Sequence, residues 1–168
     1  MAAQKYSAFH KFTQKVGSTR IGVWFASRIL PYFDRVLLKR TNGRTTLTTI
    51  LTGIPVVQLT SIGAKSGLPR VHSLFGVYRE SDSDVFAFIG TNFGRKQYPA
   101  WYYNLKENPV ATCSIKGQVG EYEAHEATGE EYERFWQAAQ AAYVGFPNYK
   151  QRVGERDIPI MVMTPVTA

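Results

Sequence analysis

The chain has 168 residues, enough for one domain with a real hydrophobic core, and its ten Tyr, ten Phe and three Trp exclude a disordered chain. The formal net charge of +7 belongs to one end: residues 1–44 hold nine Lys and Arg against Asp34 alone, whereas the rest holds eleven basic and twelve acidic side chains. That distribution excludes a generally basic face for nucleic acid, the single Cys113 excludes an internal disulfide, and no apolar run approaches the ~20 residues that span a bilayer.

Residues 1–45 read as a basic amphipathic helical arm. Phe9, Phe12 and Val16 fall at helical spacing; after Gly17, the apolar residues Ile21, Val23, Trp24, Phe25, Ile29 and Leu30 continue the pattern to Pro31, and Phe33, Val36, Leu37 and Leu38 follow. Such an arm can dock on its own domain, cover a ligand or lie in a membrane interface, and docking is the commonest fate. No apolar core followed by a cleavage site marks a signal peptide, so a cytoplasmic protein is expected, in solution or lying on a membrane.

Thr41-Asn-Gly-Arg-Thr-Thr is a turn-rich joint, and residues 46–168 form the second unit. Strands are predicted over 54–60 and 70–79, joined by a loop at 61–69, and over 85–89 after a polar hairpin loop at 80–84. Residues 90–98 form a loop bracketed by glycine. Pro99 then opens a short aromatic helix, which Asn108-Pro109 stops, because the residue before a proline is pushed out of helical geometry. Strands over 110–116 and 119–127 pair through a hairpin at Gly117-Gln118. Thr128-Gly-Glu-Glu131 has capping-box spacing and opens a helix lined by Phe135, Ala138, Ala139 and Ala142. Residues 145–157 read as irregular and 158–163 as a closing strand. Six strands linked mostly by hairpins, with two inserted helices, predict a mainly β fold: a small antiparallel barrel with α additions.

Chemistry is sparse. His10, His72 and His125 lack metal-ligand spacing, and no metal site is expected; Glu121, Glu123 and Glu126 lie along a strand as a solvent face; Cys113 reads as a buried structural thiol. Two loops carry paired cations: Lys65 and Arg70 on the first, with Gly63 and Gly67 free to take positive φ, and Arg95 and Lys96 on the second. Each alone reads as an ordinary charged loop; together they can grip one elongated anion. A third cluster, Tyr143, Phe146 and Tyr149, reads either as a packed aromatic cap or as the wall of a substrate pocket, and the Gly and Pro between its members argue against a regular helix. Anion-gripping loops without an acid–base or nucleophile set suggest that a cofactor carries the chemistry.

Taken in order, these segments resemble the deazaflavin-dependent nitroreductase family, split-barrel enzymes that use coenzyme F420. The residues that carry the likeness are Thr60, Lys65, Gly67, Pro69 and Arg70 in the first loop and the long run Tyr98-Pro-Ala-Trp-Tyr-Tyr-Asn-Leu-Lys-Glu-Asn-Pro109. Downstream, the Thr-Gly-Glu-Glu helix, the Tyr143–Tyr149 stretch and the Ile-Pro-Ile strand complete it. The resemblance implies a split β-barrel and a cofactor tail held by Lys65, Pro69 and Arg70 with Arg95 and Lys96 as helpers. It further implies that Thr91 and Asn92 face the deazaflavin ring and that Trp101, Tyr143, Phe146 and Tyr149 line the acceptor side, with Tyr143, Tyr149 or water as proton donor. Ala64 stands where the family often has Arg, Asn92 where one branch has Lys, and Phe146 where that branch has Tyr. The implied activity is hydride transfer from F420H2 to electron-poor conjugated acceptors: enones and unsaturated lactones, quinones, and nitroaromatics. The rival expectations are an FMN-binding split-barrel oxidoreductase and a non-enzymatic lipid-binding module led by the arm.

Overall fold

The computed structural model describes residues 7–78 and 84–166; the polar loop expected at 80–84 lies almost wholly outside the described residues. The arm folds as three helices, α1 (Ala8–Gly17), α2 (Arg20–Arg28) and α3 (Leu30–Arg40). Ser7 and Thr19 cap the first two by accepting the backbone N–H three residues on, from His10 and Gly22, and Pro31 sits in the first turn of the third.

A short α4 (Leu47–Thr52) precedes the sheet, where the sequence reading places only strands. Its cap explains it. Thr46 Oγ1 accepts the Thr49 N–H at 2.9 Å, and the Asp34 carboxylate takes the Thr48 N–H and hydroxyl at 2.9 and 2.5 Å, holding the turn from outside. Gly53, with φ of 73°, then ends it.

The remaining chain runs β1 (Val56–Ile62), β2 (Pro69–Phe75), β3 (Val77–Tyr78), β4 (Phe86–Ile89), α5 (Ala100–Glu107), β5 (Val110–Ile115), β6 (Gln118–Glu126), α6 (Gly129–Ala142), α7 (Phe146–Val153) and β7 (Ile160–Pro165). The strands form one antiparallel sheet in the order β2-β1-β5-β6-β7-β4-β3. Among the described residues seven strands replace the expected six because Gly76 interrupts the second: its N–H bonds the Pro55 carbonyl at 3.1 Å, outside either ladder. The interruption has a topological consequence. β2 and β3 are the two outermost strands yet are separated by one residue, so the sheet must curl until its edges meet. This is a split barrel closed by the chain itself.

Period-two alternation along the central strands divides the interior into two cores. Phe86 and Phe88 of β4 and Met161 and Met163 of β7 point into the curl, where they meet Val57, Leu59, Cys113, Trp101 and Leu105. Ala87, Ile89, Ile160 and Val162 point the other way, under Phe135, Trp136 and Ala139 of α6 and Phe146, Tyr149 and Val153 of α7. The helix α7 corrects an expectation of irregular chain. Pro147 falls in its first turn, where a missing N–H costs nothing, and Phe146, Tyr149 and Val153 then recur at helical spacing on the buried face. Thr128 is the N-cap of α6 as expected, but its side chain makes no cap hydrogen bond; Glu131 instead pairs with exposed His125 at 3.0 Å.

The arm docks on this body. Thr13 donates to the Leu51 carbonyl and Gln14 to that of Thr52 at 2.7 Å, while on α7 Asn148 reaches Ser18 Oγ at 3.3 Å and Arg152 reaches the Ser18 carbonyl at 2.8 Å. No helix among the described residues is long and apolar enough to cross a membrane.

Candidate functional site

The first cationic loop is a tight turn between β1 and β2. Gly67 adopts φ of 65° and its N–H bonds the Gly63 carbonyl at 2.8 Å, while the Gly63 N–H bonds Leu68 at 2.9 Å. Pro69 opens β2 opposite Ile62, so its missing N–H falls at the strand end. Lys65 and Arg70 are exposed, and Arg70 donates to Ser66 Oγ at 3.4 Å. The turn is anchored by a residue that the sequence reading left without a role. Asn104 of α5 is buried, accepts the Ala64 N–H at 3.0 Å and donates to buried Ser61 at 3.1 Å. The Trp-Tyr-Tyr-Asn run is therefore tied to the Lys65 loop by hydrogen bonds.

The second loop, residues 90–98, leaves β4 and enters α5. Three consecutive residues are left-handed: Asn92 with φ of 48°, Phe93 with 58° and Gly94 with 80°. Asn tolerates this region and Gly prefers it, but at Phe93 it costs about 1–2 kcal/mol. Such strain persists only when surrounding contacts over-determine it. Here the Gly94 and Arg95 N–H groups bond the Thr91 and Asn92 carbonyls, and Asn92 Nδ2 bonds the Gln97 carbonyl at 3.0 Å. Arg156, which the sequence reading also passed over, donates to the carbonyls of Gly90, Thr91 and Arg95 at 3.1, 3.1 and 3.3 Å. Thr91 is buried, whereas Arg95 and Lys96 are exposed at the mouth of a cleft of about 670 Å³ shared with Gln151 and Arg152. Among the described residues, none of Lys65, Arg70, Arg95 and Lys96 pairs with a carboxylate. Four uncommitted cations on loops tied to one helix fit a polyanionic ligand tail.

The aromatic cluster is buried. The Tyr143 and Tyr149 hydroxyls meet at 3.1 Å, and the Phe146 ring lies 5.3 Å from that of Tyr143 in edge contact. Burial pushes both phenols above the ordinary tyrosine value; the neighbouring phenol raises Tyr143 further and its hydrogen bond lowers Tyr149, while the Arg152 guanidinium opposes the rise at both. Phe93 reaches the Tyr149 ring edge-on at 6.5 Å and Arg152 lies 5.7 Å above that ring, so the strained loop and the tyrosine pair adjoin.

Trp101 departs from its expected place. It is buried in the inner core, edge-on to Phe88 at 5.8 Å, while Tyr143, Phe146 and Tyr149 belong to the outer core. The reason is the helix period: Trp101 and Leu105 share the face of α5 that seals the curl. The structure thus brings Phe93 of the second loop against Tyr149, joins the Lys65 loop to α5 through Asn104, and keeps Trp101 apart from the tyrosines. Cys113 is fully buried, and burial pushes its thiol up to about 12.

Residues 34–165 match a family described as F420H(2)-dependent quinone reductase. A protein of Mycobacterium tuberculosis named "Putative F420H(2)-dependent quinone reductase Rv3178" is 28% identical over 112 residues, which are 67% of this chain and 91% of that protein. A solved F420-H2 dependent reductase (FDR-A) is 32% identical with a TM-score of 0.58, covering 66% of this chain and 94% of its own. A second solved structure, described as a domain-swapped dimer, is 29% identical with a TM-score of 0.61, covering 83% of this chain and 98% of its own. The chain belongs to the F420H(2)-dependent quinone reductase family, split-barrel oxidoreductases whose cofactor is coenzyme F420.

Proposed function

We propose that this enzyme reduces electron-poor conjugated acceptors, namely quinones, enones and unsaturated lactones, and nitroaromatics. When bound, reduced F420 supplies the hydride. Lys65 and Arg70 hold the anionic tail with Pro69 shaping their turn, and Arg95 and Lys96 add charge from the second loop. Thr91 and Asn92 meet the ring. Tyr149, adjoining Phe93, stands on the acceptor side with Tyr143 and Phe146, and one phenol of the pair supplies the proton that balances hydride delivery. Their raised pKa values keep both phenols protonated at neutral pH. The observation that carries the reading is the set of four cations that, among the described residues, have no carboxylate partner, on two loops tied to one helix.

Titration of the purified protein with F420, followed by tryptophan fluorescence, tests it. Micromolar binding is expected, weakened about tenfold in Lys65→Ala or Arg70→Ala and by added salt. Absence of binding at micromolar cofactor would overturn the reading, and equal affinity in parent and variants would remove those two roles. The FMN alternative is separated by colour: a protein that stays yellow through purification holds a flavin.

A second reading concerns the arm. Even docked, it leaves Phe12, Ile21, Trp24 and Tyr32 at least 59% exposed beside its Lys and Arg residues. That combination suits peripheral contact with an anionic bilayer, where a quinone acceptor would dissolve. Sedimentation with anionic vesicles, with and without residues 1–44, is expected to retain only the full chain; equal retention of both would refute it.

A further inference from the structure

Arg156 lies just beyond α7, where the chain turns back toward β7, and its side chain engages the loop at residues 90–98 from both sides. Nη1 donates to Gly90 at 3.1 Å and to the adjacent Asp157 carbonyl at 2.9 Å. Nη2 donates to Thr91 at 3.1 Å and to Arg95 at 3.3 Å. The guanidinium also lies 4.7 Å above the ring of Tyr98, the residue through which the loop reaches α5. Gly90 and Thr91 are one foot of the loop; Arg95 and Tyr98 are the other. One planar fork therefore spans the nine residues 90–98, three of which are left-handed.

We propose that Arg156 is the positioning residue of this loop, a staple that fixes the backbone of Thr91 and Asn92 for the cofactor ring; the ligand in this statement rests on the function proposed above. An ordinary surface arginine meets one or two partners and tolerates lysine. This one places donors on three loop carbonyls in divergent directions, which needs a planar fork. A lysine ammonium can reach one foot and not both. The residue touches no reacting atom; it acts through the loop.

Amide hydrogen exchange on the ligand-free protein and F420 titration, on the parent and on Arg156→Gln and Arg156→Lys, test the assignment. In Arg156→Gln, exchange at residues 90–98 is expected to accelerate at least tenfold, with the core amides of Ala87 and Val162 unchanged. F420 affinity should fall at least tenfold, and the acceptor KM should move less than twofold. Arg156→Lys should recover only a minor part of either loss. Tyr98→Leu keeps every guanidinium hydrogen bond and is the milder variant should Arg156→Gln fail to fold; its acceleration should be confined to residues 95–98. Unchanged exchange in the loop, acceleration spread evenly over the sheet, or full rescue by lysine would overturn the staple. Accelerated exchange with unaltered F420 affinity would overturn its link to the cofactor. If the parent binds no F420, the proposed function fails, and the exchange pattern alone decides whether Arg156 holds the loop.

Discussion

Asn104 offers a quantitative test of how the Lys65 loop is held. Its side chain is buried and uses both ends, accepting from Ala64 and donating to Ser61. Asn104→Ala removes two hydrogen bonds, each worth about 0.5–1.5 kcal/mol net. The two former partners differ. Ala64 is exposed, so its N–H can turn to water, whereas Ser61 is 1% exposed and its hydroxyl stays dry. Counting the higher cost for Ser61, the loss comes to about 2–3 kcal/mol, or a Tm lower by about 5–10 °C for a domain of this size. Urea unfolding should show a lower midpoint at constant slope. In a double-mutant cycle with Ser61→Ala, the pair should cost about 1 kcal/mol less than the sum of the single changes, because both delete the same bond. Affinity for F420 should fall by about threefold to tenfold as the Lys65 turn loosens, a loss of about 0.7–1.4 kcal/mol. Stability within about 0.5 kcal/mol of the parent, additive double mutation and unchanged affinity would together refute the anchoring argument.

Three further outcomes follow from single residues. Burial first, and the Arg70 charge second, lower the His72 pKa, so between the unfolded value near 6.5 and the folded one only the unfolded chain binds the proton. Stability is then whole above about pH 6.5 and is lost as pH falls below it; His72→Gln should flatten the Tm profile between pH 7 and 5, and an identical slope in both proteins would refute this. With its thiol pushed up to about 12, Cys113 should resist a disulfide reagent at pH 8 and react once in denaturant; rapid labelling of the native protein would contradict the burial. Gly145 has φ of −82°, which alanine accepts, but an added Cβ would lie 2.3 Å from Tyr143 Cε1. Gly145→Ala should displace that ring and lose about 1–3 kcal/mol, altering near-UV but not far-UV circular dichroism; an unaltered near-UV spectrum would refute the clash.

What was legible in the chain was what local chemistry decides. Pro99 and Asn108-Pro109 bound α5 to within a residue, and the turn between β5 and β6 is marked by Gly117, where φ reaches 87° after Lys116 at 51°. The burial of Cys113 also followed from its strand context. What escaped depends on partners distant in sequence. Gly76 reads as a residue inside one strand until the sheet order shows that the strand changes edges there. The helix α4 needs Asp34, fourteen residues away, to hold its first turn. Pro147 reads as a breaker because its place in a first turn is visible only once Gly145 is seen to be the N-cap of α7. The loop contacts of Arg156 lie more than sixty residues upstream, and no spacing rule connects them.

The position of the candidate site follows from the division of the core. Along β4 successive side chains alternate between the inner core, with Phe88, and the outer core, with Ile89. α5 seals the inner core with Trp101 and Leu105, whereas α7 covers the outer one with Phe146, Tyr149 and Val153. The chain between β4 and α5 must therefore cross from one core to the other within residues 90–99. That crossing happens where Gly90 is pressed against Pro159, its N–H bonding the Pro159 carbonyl at 2.7 Å and the space for a Cβ filled by the proline ring. With one side blocked, the chain turns sharply through Asn92, Phe93 and Gly94, which brings Phe93 against Tyr149 and Tyr98 against Arg156. The left-handed residues, the staple and the adjoining tyrosines are consequences of one topological demand. A loop that crosses between two cores and is held on both feet by Arg156 offers a fixed backbone, and a fixed backbone is what an enzyme needs when orientation of a cofactor, not a side-chain nucleophile, does the chemistry.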